Sequence, residues 1–277
     1  MALEGVGVGA RLGADPARAA LPRRGLAPGP RRRNFLRVRI FVGTSGFSYA
    51  PWRKTFYPED LSPREYLRFY ASRLGAVEIN NTFYRLPSAK LLARWAGQVP
   101  PGFRFALKAP ARITHVGALD PGDALQALLG AVGALGSNLG PLLFQLPPSH
   151  RADLPRLERF LGALPAGLSV AFEFRHASWH APSVLGALAE RGAALCISDV
   201  GGAIPPIAST ARFGYLRLRR PDYLPADLER WATTVLAQPW HEAYVFFKHE
   251  DGAKGPRLAD ALGHWVERGA APEAPPP

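Results

Sequence analysis

Eight short apolar runs, each tipped by a polar or charged residue, constrain what this chain can fold into. The runs are Val38 to Val42, Val77 to Ile79, Phe103 to Leu107, Leu142 to Phe144, Leu168 to Phe174, Ala193 to Ile197, Tyr215 to Leu218 and Tyr244 to Phe247. At or just past their ends stand Thr44 and Ser45, Glu78 and Asn80, Lys108, Gln145, Glu173 and Arg175, Asp199, Arg217 and Arg219, and finally Lys248, His249 and Glu250. Strands of a parallel sheet are covered on both faces and therefore read as unbroken apolar runs. Eight of them, separated by helix-length segments, predict an α/β protein, a (β/α)8 TIM-type barrel. Chemistry in that fold sits at the carboxyl ends of the strands, so the polar tips mark the expected site.

The intervening segments carry helix signals. Helices are expected over 63–74 with Ser62 as cap and Gly75 as stop, and over 88–97, 121–136, 153–164, 182–191, 226–236 and 256–268. Residues 201–210, after the sixth strand, read as loop, so one position of the outer layer is expected to be irregular. Residues 1–34 are Ala, Gly, Pro and Arg without a periodic apolar face and are expected to be a disordered tail. They carry no signal-peptide core; an Arg-rich, acid-poor leader is compatible with a targeting segment or with a start codon assigned too far upstream. A single barrel domain is expected over 35–269, and a frayed tail over 270–277.

With 277 residues, the chain fits one barrel of about 250 residues plus an extension. No apolar stretch approaches the roughly 18 residues that a membrane span needs, so no membrane partner is expected and the expected location is cytoplasmic. The only cysteine, Cys196, excludes an internal disulfide and lies inside an apolar run, as a small core residue does. The net charge is +12. Residues 1–33 contribute +5 of it, from seven Arg against Glu4 and Asp15, and the body holds the rest. A basic body favours anionic ligands, nucleic acid included.

Period-two alternation puts Glu78 and Asn80 on one face of the second strand, Glu173 and Arg175 on one face of the fifth, and Arg217 and Arg219 on one face of the seventh. A pair such as Glu173 and Arg175 is open to two readings, a catalytic carboxylate with its orienting base or a self-neutralising pair. Lys108 is a candidate for anion binding, for pairing with Glu78, or for a Schiff base if its pKa is depressed. Asp199 is either a site acid or a turn cap. Arg217, Arg219 and Lys248 fall where barrels often bind phosphate. Gln145 and His249 stand at further strand ends. Among the loop aromatics, Trp52 and Tyr84 are the expected ligand contacts. Glu78, Glu173, Asp199 and His249 include donors for a hard divalent cation, but the neighbouring basic residues oppose one, and no metal is expected. Phosphate-loop, dinucleotide and nucleophile-elbow motifs are lacking, and no cofactor follows from the residues.

Six segments in order resemble the family of (β/α)8 barrels known as DUF72, or YecE-like, proteins. They are Gly43-Thr-Ser-Gly-Phe-Ser-Tyr49 with Trp52; Glu78-Ile-Asn-Asn-Thr-Phe-Tyr84; Phe105-Ala-Leu-Lys108 with Ile113-Thr-His115; Phe144-Gln-Leu-Pro-Pro148; Glu173-Phe-Arg-His-Ala-Ser-Trp179; and Ser198-Asp199. The resemblance runs from about Ile40 to Val266 and implies the barrel fold. It implies no settled reaction, because the family is named for its unknown function. Where the family often has Arg-x-His-Gly and an Asn-Asn pair at strands seven and eight, this chain has Arg217-Leu-Arg-Arg220 and Phe247-Lys-His-Glu250, which resembles a variant branch with a more cationic mouth.

The leading expectation is an enzyme acting on a small anionic ligand, phosphorylated or sugar-like, at the barrel mouth. Glu78, Glu173, Lys108 and Asp199 are its expected catalytic residues. Asn80, Tyr84, Trp52, Gln145, Arg175, Arg217, Lys248 and His249 are its expected binding residues. Glu78 and Glu173 would divide acid and base roles. The rivals are a nucleic-acid-binding or nucleic-acid-processing barrel and a ligand-binding scaffold without catalysis.

Overall fold

The computed structural model describes residues 38–200 and 204–269; the expectations for a disordered leader and a frayed carboxyl-terminal tail lie outside the described residues. Eight strands close into one parallel barrel in chain order. They are β1 (Arg39–Ser45), β2 (Ala76–Ile79), β3 (Arg104–Lys108), β4 (Leu139–Gln145), β5 (Val170–Glu173), β6 (Ala194–Ser198), β7 (Phe213–Leu218) and β8 (Glu242–Phe247). Each coincides with one apolar run. β1 extends past its run to Ser45, which carries Thr44 and Ser45 into the sheet. Closure is made by the β1–β8 ladder, from Arg39 opposite Glu242 to Thr44 opposite Phe247.

Alternation sorts each strand into an inner and an outer face. The lumen is filled by Phe41, Ala76, Ala106, Leu143, Ala171, Ala194, Cys196, Phe213, Tyr215, Tyr244 and Phe246. The opposite faces pack against the helices in a larger core that includes Phe105, Phe144, Phe172, Leu216 and Phe247. Several lumen residues are alanine, which leaves room for longer side chains one layer above. Gly43 lies where β1 crosses closest to β2: a Cβ there would stand 1.9 Å from the Ala76 carbonyl oxygen.

Among the described residues seven α-helices cover the strands: α1 (Tyr66–Ala71), α2 (Ala89–Ala96), α3 (Asp123–Val132), α4 (Leu154–Gly162), α5 (Pro182–Arg191), α6 (Pro225–Leu236) and α7 (Lys254–Gly269). Ser88 caps α2 by accepting from the Leu91 amide, and Asp153 caps α4 by accepting from the Arg156 amide. Gly192, at φ +70°, ends α5. Helix α1 starts later than expected because residues 62–65 form a turn, with the Glu65 amide donating to the Ser62 carbonyl at 2.8 Å. Between β6 and β7 the described residues hold no α-helix; residues 204–210 carry no helix, as expected from their loop-like sequence, and 201–203 lie outside the described residues. There Thr210 replaces helix contacts, donating to the Ala193 carbonyl at 2.7 Å and accepting from the Leu195 amide at 3.0 Å. No helix among the described residues is long and apolar enough to cross a membrane.

Candidate functional site

The inner faces of the strands end in one layer of polar side chains at the carboxyl-terminal mouth. Counting in twos from the lumen residues gives Ser45 on β1, Glu78 on β2, Lys108 after Ala106, Gln145 after Leu143, Glu173 after Ala171, Arg217 after Tyr215 and Lys248 after Phe246. Glu78, Glu173, Arg217, Gln145 and Ser45 are all buried.

Arg217 organises the layer. Its Nη2 donates to Glu78 Oε1 at 2.8 Å and its Nε to the same oxygen at 3.2 Å. Its Nη1 reaches Glu173 Oε2 at 2.5 Å. Glu78 also accepts from Ser45 Oγ at 2.6 Å, Tyr215 Oη at 2.7 Å and Asn80 Nδ2 at 3.1 Å. Glu173 accepts from Arg175 Nε at 3.1 Å. Burial alone would raise both carboxyls. The Arg217 charge and the hydrogen bonds outweigh it, and both are held below the usual carboxylate range. Burial opposes the Arg217 charge, yet the two carboxylates raise its pKa well above normal. Burial also raises the Tyr215 hydroxyl, which stays a donor to Glu78.

Three cations surround this core with no carboxylate within 4.0 Å among the described residues: Lys108, Arg219 and Lys248. Burial, and then the Arg217 charge, lower Lys108 to about 8. Burial and Arg217 lower Arg219, and burial and Arg219 lower Lys248. Lys108 Nζ stands 3.9 Å from the centroid of the Phe83 ring. His115, in a single π-helical turn (Arg112–Val116), packs edge-on against Phe83 at 4.8 Å; burial and Lys108 lower its pKa.

The expected residues therefore separate. Glu78, Asn80, Lys108, Gln145, Glu173, Arg175, Arg217 and Lys248 meet at the mouth. Arg217, expected to hold an external anion, instead holds Glu78 and Glu173. Asp199 leaves β6 on the outer side, one residue past the inner-facing Ser198. It accepts from the Arg219 amide at 2.6 Å and from the Tyr223 hydroxyl, and so caps the turn after β7. His249 likewise follows the inner-facing Lys248 by one residue and bonds through Nε2 to the Arg220 carbonyl at 2.5 Å. With Asp199 and His249 engaged there, and Arg217 between the two glutamates, the four candidate cation ligands do not converge.

Trp52 is fully buried, its indole donating to the Glu250 carbonyl at 2.8 Å. It ties the loop after β1 to the loop after β8 instead of facing a ligand. Tyr84 is 85% exposed at the rim. Ser45, Tyr215 and His115 were not among the expected site residues. Ser45 is signalled by its place at the end of the first run and Tyr215 by its parity with Arg217 on β7, whereas His115 lies outside the strands and carries no such signal.

Two cavities flank the mouth. One, of about 280 Å³, is lined by residues of the loops after β1 and β2, including Tyr49 and Asn80. The other, of about 360 Å³, is lined by Trp231 of α6 and by Ile204 and Ile207 of the segment between β6 and β7. Lys108, Arg219 and Lys248 line neither cavity, and the acids of the second, Asp199 and Asp227, are already bonded to Tyr223, Arg220 and Arg230.

Comparison with known proteins matches this arrangement to one family. The model of the family described as "Protein of unknown function DUF72" matches residues 41–277. The UPF0759 protein YecE of Escherichia coli K12 is 32% identical over 144 residues, covering 51% of this chain and 50% of that protein. The UPF0759 protein YunF of Bacillus subtilis is 28% identical over 156 residues, covering 52% and 53%. The chain thus spans about half the length of the curated relatives it matches. The crystal structure of a DUF72 family protein from Thermotoga maritima superposes with a TM-score of 0.73 at 26% identity, covering 83% of this chain and 99% of that one. A DUF72 family protein from Enterococcus faecalis superposes at 0.70 with 20% identity, covering 82% and 95%, and shares the fold. The chain belongs to the DUF72 family.

Proposed function

We propose that the chain is an enzyme whose barrel mouth binds a small anionic ligand, phosphorylated or sugar-like. One observation carries this reading: Lys108, Arg219 and Lys248 surround the buried Glu78–Arg217–Glu173 cluster with no carboxylate in pairing distance. Cations lowered by burial and by one another are relieved by an anion placed among them. The two glutamates, held ionised by Arg217, position that guanidinium. The proton-moving role passes to Lys108, whose pKa of about 8 lies near working pH. Gln145 and Asn80 supply neutral hydrogen-bonding groups at the same level.

Calorimetric titration with inorganic phosphate at low salt tests the reading. Saturable binding is expected, weakened at least about tenfold in the Arg219→Met, Lys248→Met double variant, since each lost charge contact is worth on the order of 1 kcal/mol. Absence of phosphate binding at about 50 mM salt, or binding indifferent to the double substitution, would overturn it.

A second reading, a nucleic-acid-binding barrel, is favoured by Tyr84, which is 85% exposed beside the cationic mouth as a stacking side chain would be. Its mark would be oligonucleotide binding that falls steeply with salt and weakens in Tyr84→Ala.

A further inference from the structure

We propose that Lys108 is an imine-forming amine, and that the ligand of the mouth is an anionic aldehyde or ketone whose carbonyl carbon is held against Lys108 Nζ. The proposal rests on the anion-binding reading above, adds the reactive group of the ligand, and makes the neutral Lys108 amine the nucleophile in place of the proton-moving role given to it there.

An imine-forming lysine needs a fixed position, freedom from carboxylates and a neutral amine at working pH. The chain has five lysines. Lys54 pairs with Glu59, and Lys254 with Asp222. Lys90 and Lys248 are exposed. Lys108 alone among them is partly withdrawn from solvent, free of a carboxylate within 4.0 Å and set against an aromatic face, that of Phe83. Its backbone is anchored, because Thr82 Oγ1 donates to the Lys108 carbonyl at 2.5 Å, tying β3 to the turn after β2.

The charged groups facing its ammonium come from the ends of β2, β5 and β7, with His115 after β3 as a further titratable neighbour. Arg217 on β7 and Arg175 after β5 oppose protonation, Glu173 on β5 and Glu78 on β2 favour it, and burial tips the outcome to a pKa of about 8. At pH 7.5 that leaves about a quarter of the amine neutral, against roughly 0.1% for an ordinary lysine. Both acids in this group are already engaged by Arg217, so neither locks Nζ as an ion pair.

The step balances without a further reactant. The Nζ lone pair attacks the carbonyl carbon, a C–N bond forms and the carbonyl π pair moves to oxygen. A proton passes from nitrogen to that oxygen, and a second protonation there lets the C–O bond break with loss of water. The product is a protonated C=N bond to Lys108. In sum, a ketone or aldehyde and the ammonium form become the iminium and one water. The resulting cation faces Glu78 and Glu173, while Arg219 and Lys248 remain for the anionic end of the ligand.

Pyridoxal 5′-phosphate and its uncharged analogue pyridoxal serve as probes on the full chain at pH 7.5, with borohydride reduction and peptide mapping by mass. The expected result is one reduced adduct, on Lys108, forming at least about tenfold faster than on exposed Lys90, because the neutral amine is the nucleophile. It should vanish in Lys108→Arg, which keeps the charge and whose folding is checked by its thermal melt. Labelling of the other lysines at the same rate, or unchanged total labelling in Lys108→Arg, would overturn the proposal. Inorganic phosphate separates the two readings. If it binds by calorimetry while Lys108 gives no adduct, the imine fails and the anion site stands. If Lys108 is labelled equally by both probes and phosphate does not protect it, the imine stands and the anion site fails.

Discussion

At the amino-terminal end of the barrel, Arg39 on β1 pairs with Glu242 on β8 across the seam; at the carboxyl-terminal end, Arg217 pairs with Glu78 and Glu173 across the lumen. The residue types are the same and the settings are opposite. The side chains of Arg39 and Glu242 are 58% and 29% exposed, whereas those of Arg217 and Glu78 are 2% and 0%. Water can replace either partner at the first site, which limits what the pair contributes. At the second, water does not replace a lost partner, and without Arg217 the buried Glu78 charge has no cation left, Glu173 keeping only Arg175. Position within the barrel, more than the chemistry of the pair, decides which of the two the fold depends on.

The strongest way to break this comparison is Arg217→Met. It leaves two buried carboxylates and is expected to cost about 3–5 kcal/mol at neutral pH, read from urea unfolding. The pH dependence carries the sign. In the native protein both glutamates have folded pKa values below the unfolded value of about 4.3, so their contribution is complete above that value and is lost as pH falls through the folded values. In the variant Glu78 is left without a cation and burial raises its carboxyl, while Glu173 keeps Arg175, so protonation of Glu78 on acidification relieves the loss. The stability gap between the two proteins should narrow from about pH 7 toward about pH 4; a constant gap would refute the cross-lumen pairing.

Tyr215→Phe sharpens the comparison by removing one donor from Glu78 while keeping the ring. A hydrogen bond to a buried carboxylate is worth about 2 kcal/mol, and a loss below about 0.5 kcal/mol in the same urea experiment would mean Tyr215 is only packing. The smallest effect belongs to the other end: Glu242→Gln is expected to change stability by less than about 1 kcal/mol. A loss as large as that of Arg217→Met would erase the distinction between the two ends.

Much of the architecture was legible because parallel strands and amphipathic helices leave local signals. All eight apolar runs are strands, and the absence of an α-helix among the described residues after the sixth was readable from its loop-like sequence. The site was legible only as a set of strand ends. In a barrel both faces of a strand are apolar, so composition does not say which face is the lumen. Asp199 and His249 fall on the outer face and Ser198 and Lys248 on the inner, a difference of one residue that only the closed sheet decides. The Arg217–Glu78 bond joins residues 139 positions apart, beyond the reach of alternation within a strand. Tyr215 shares the parity of Arg217 but stands inside an apolar run, where its hydroxyl gives no local sign of a partner on β2. Trp52 looked like a ligand contact because a loop tryptophan gives no local sign of what covers it.

The bond set of Arg217 also has a mechanical meaning. Around the ring, β7 is three strands from β2 in one direction and two from β5 in the other, so a single guanidinium spans two chords of the barrel's cross-section. It works as an internal strut, coupling three staves whose separation would otherwise be set only by the backbone ladders between them. A mouth braced in this way has a fixed aperture. The exposed Tyr84, in the loop after β2, lies outside that bond set, so the brace holds the strand ends and leaves the loop above them out.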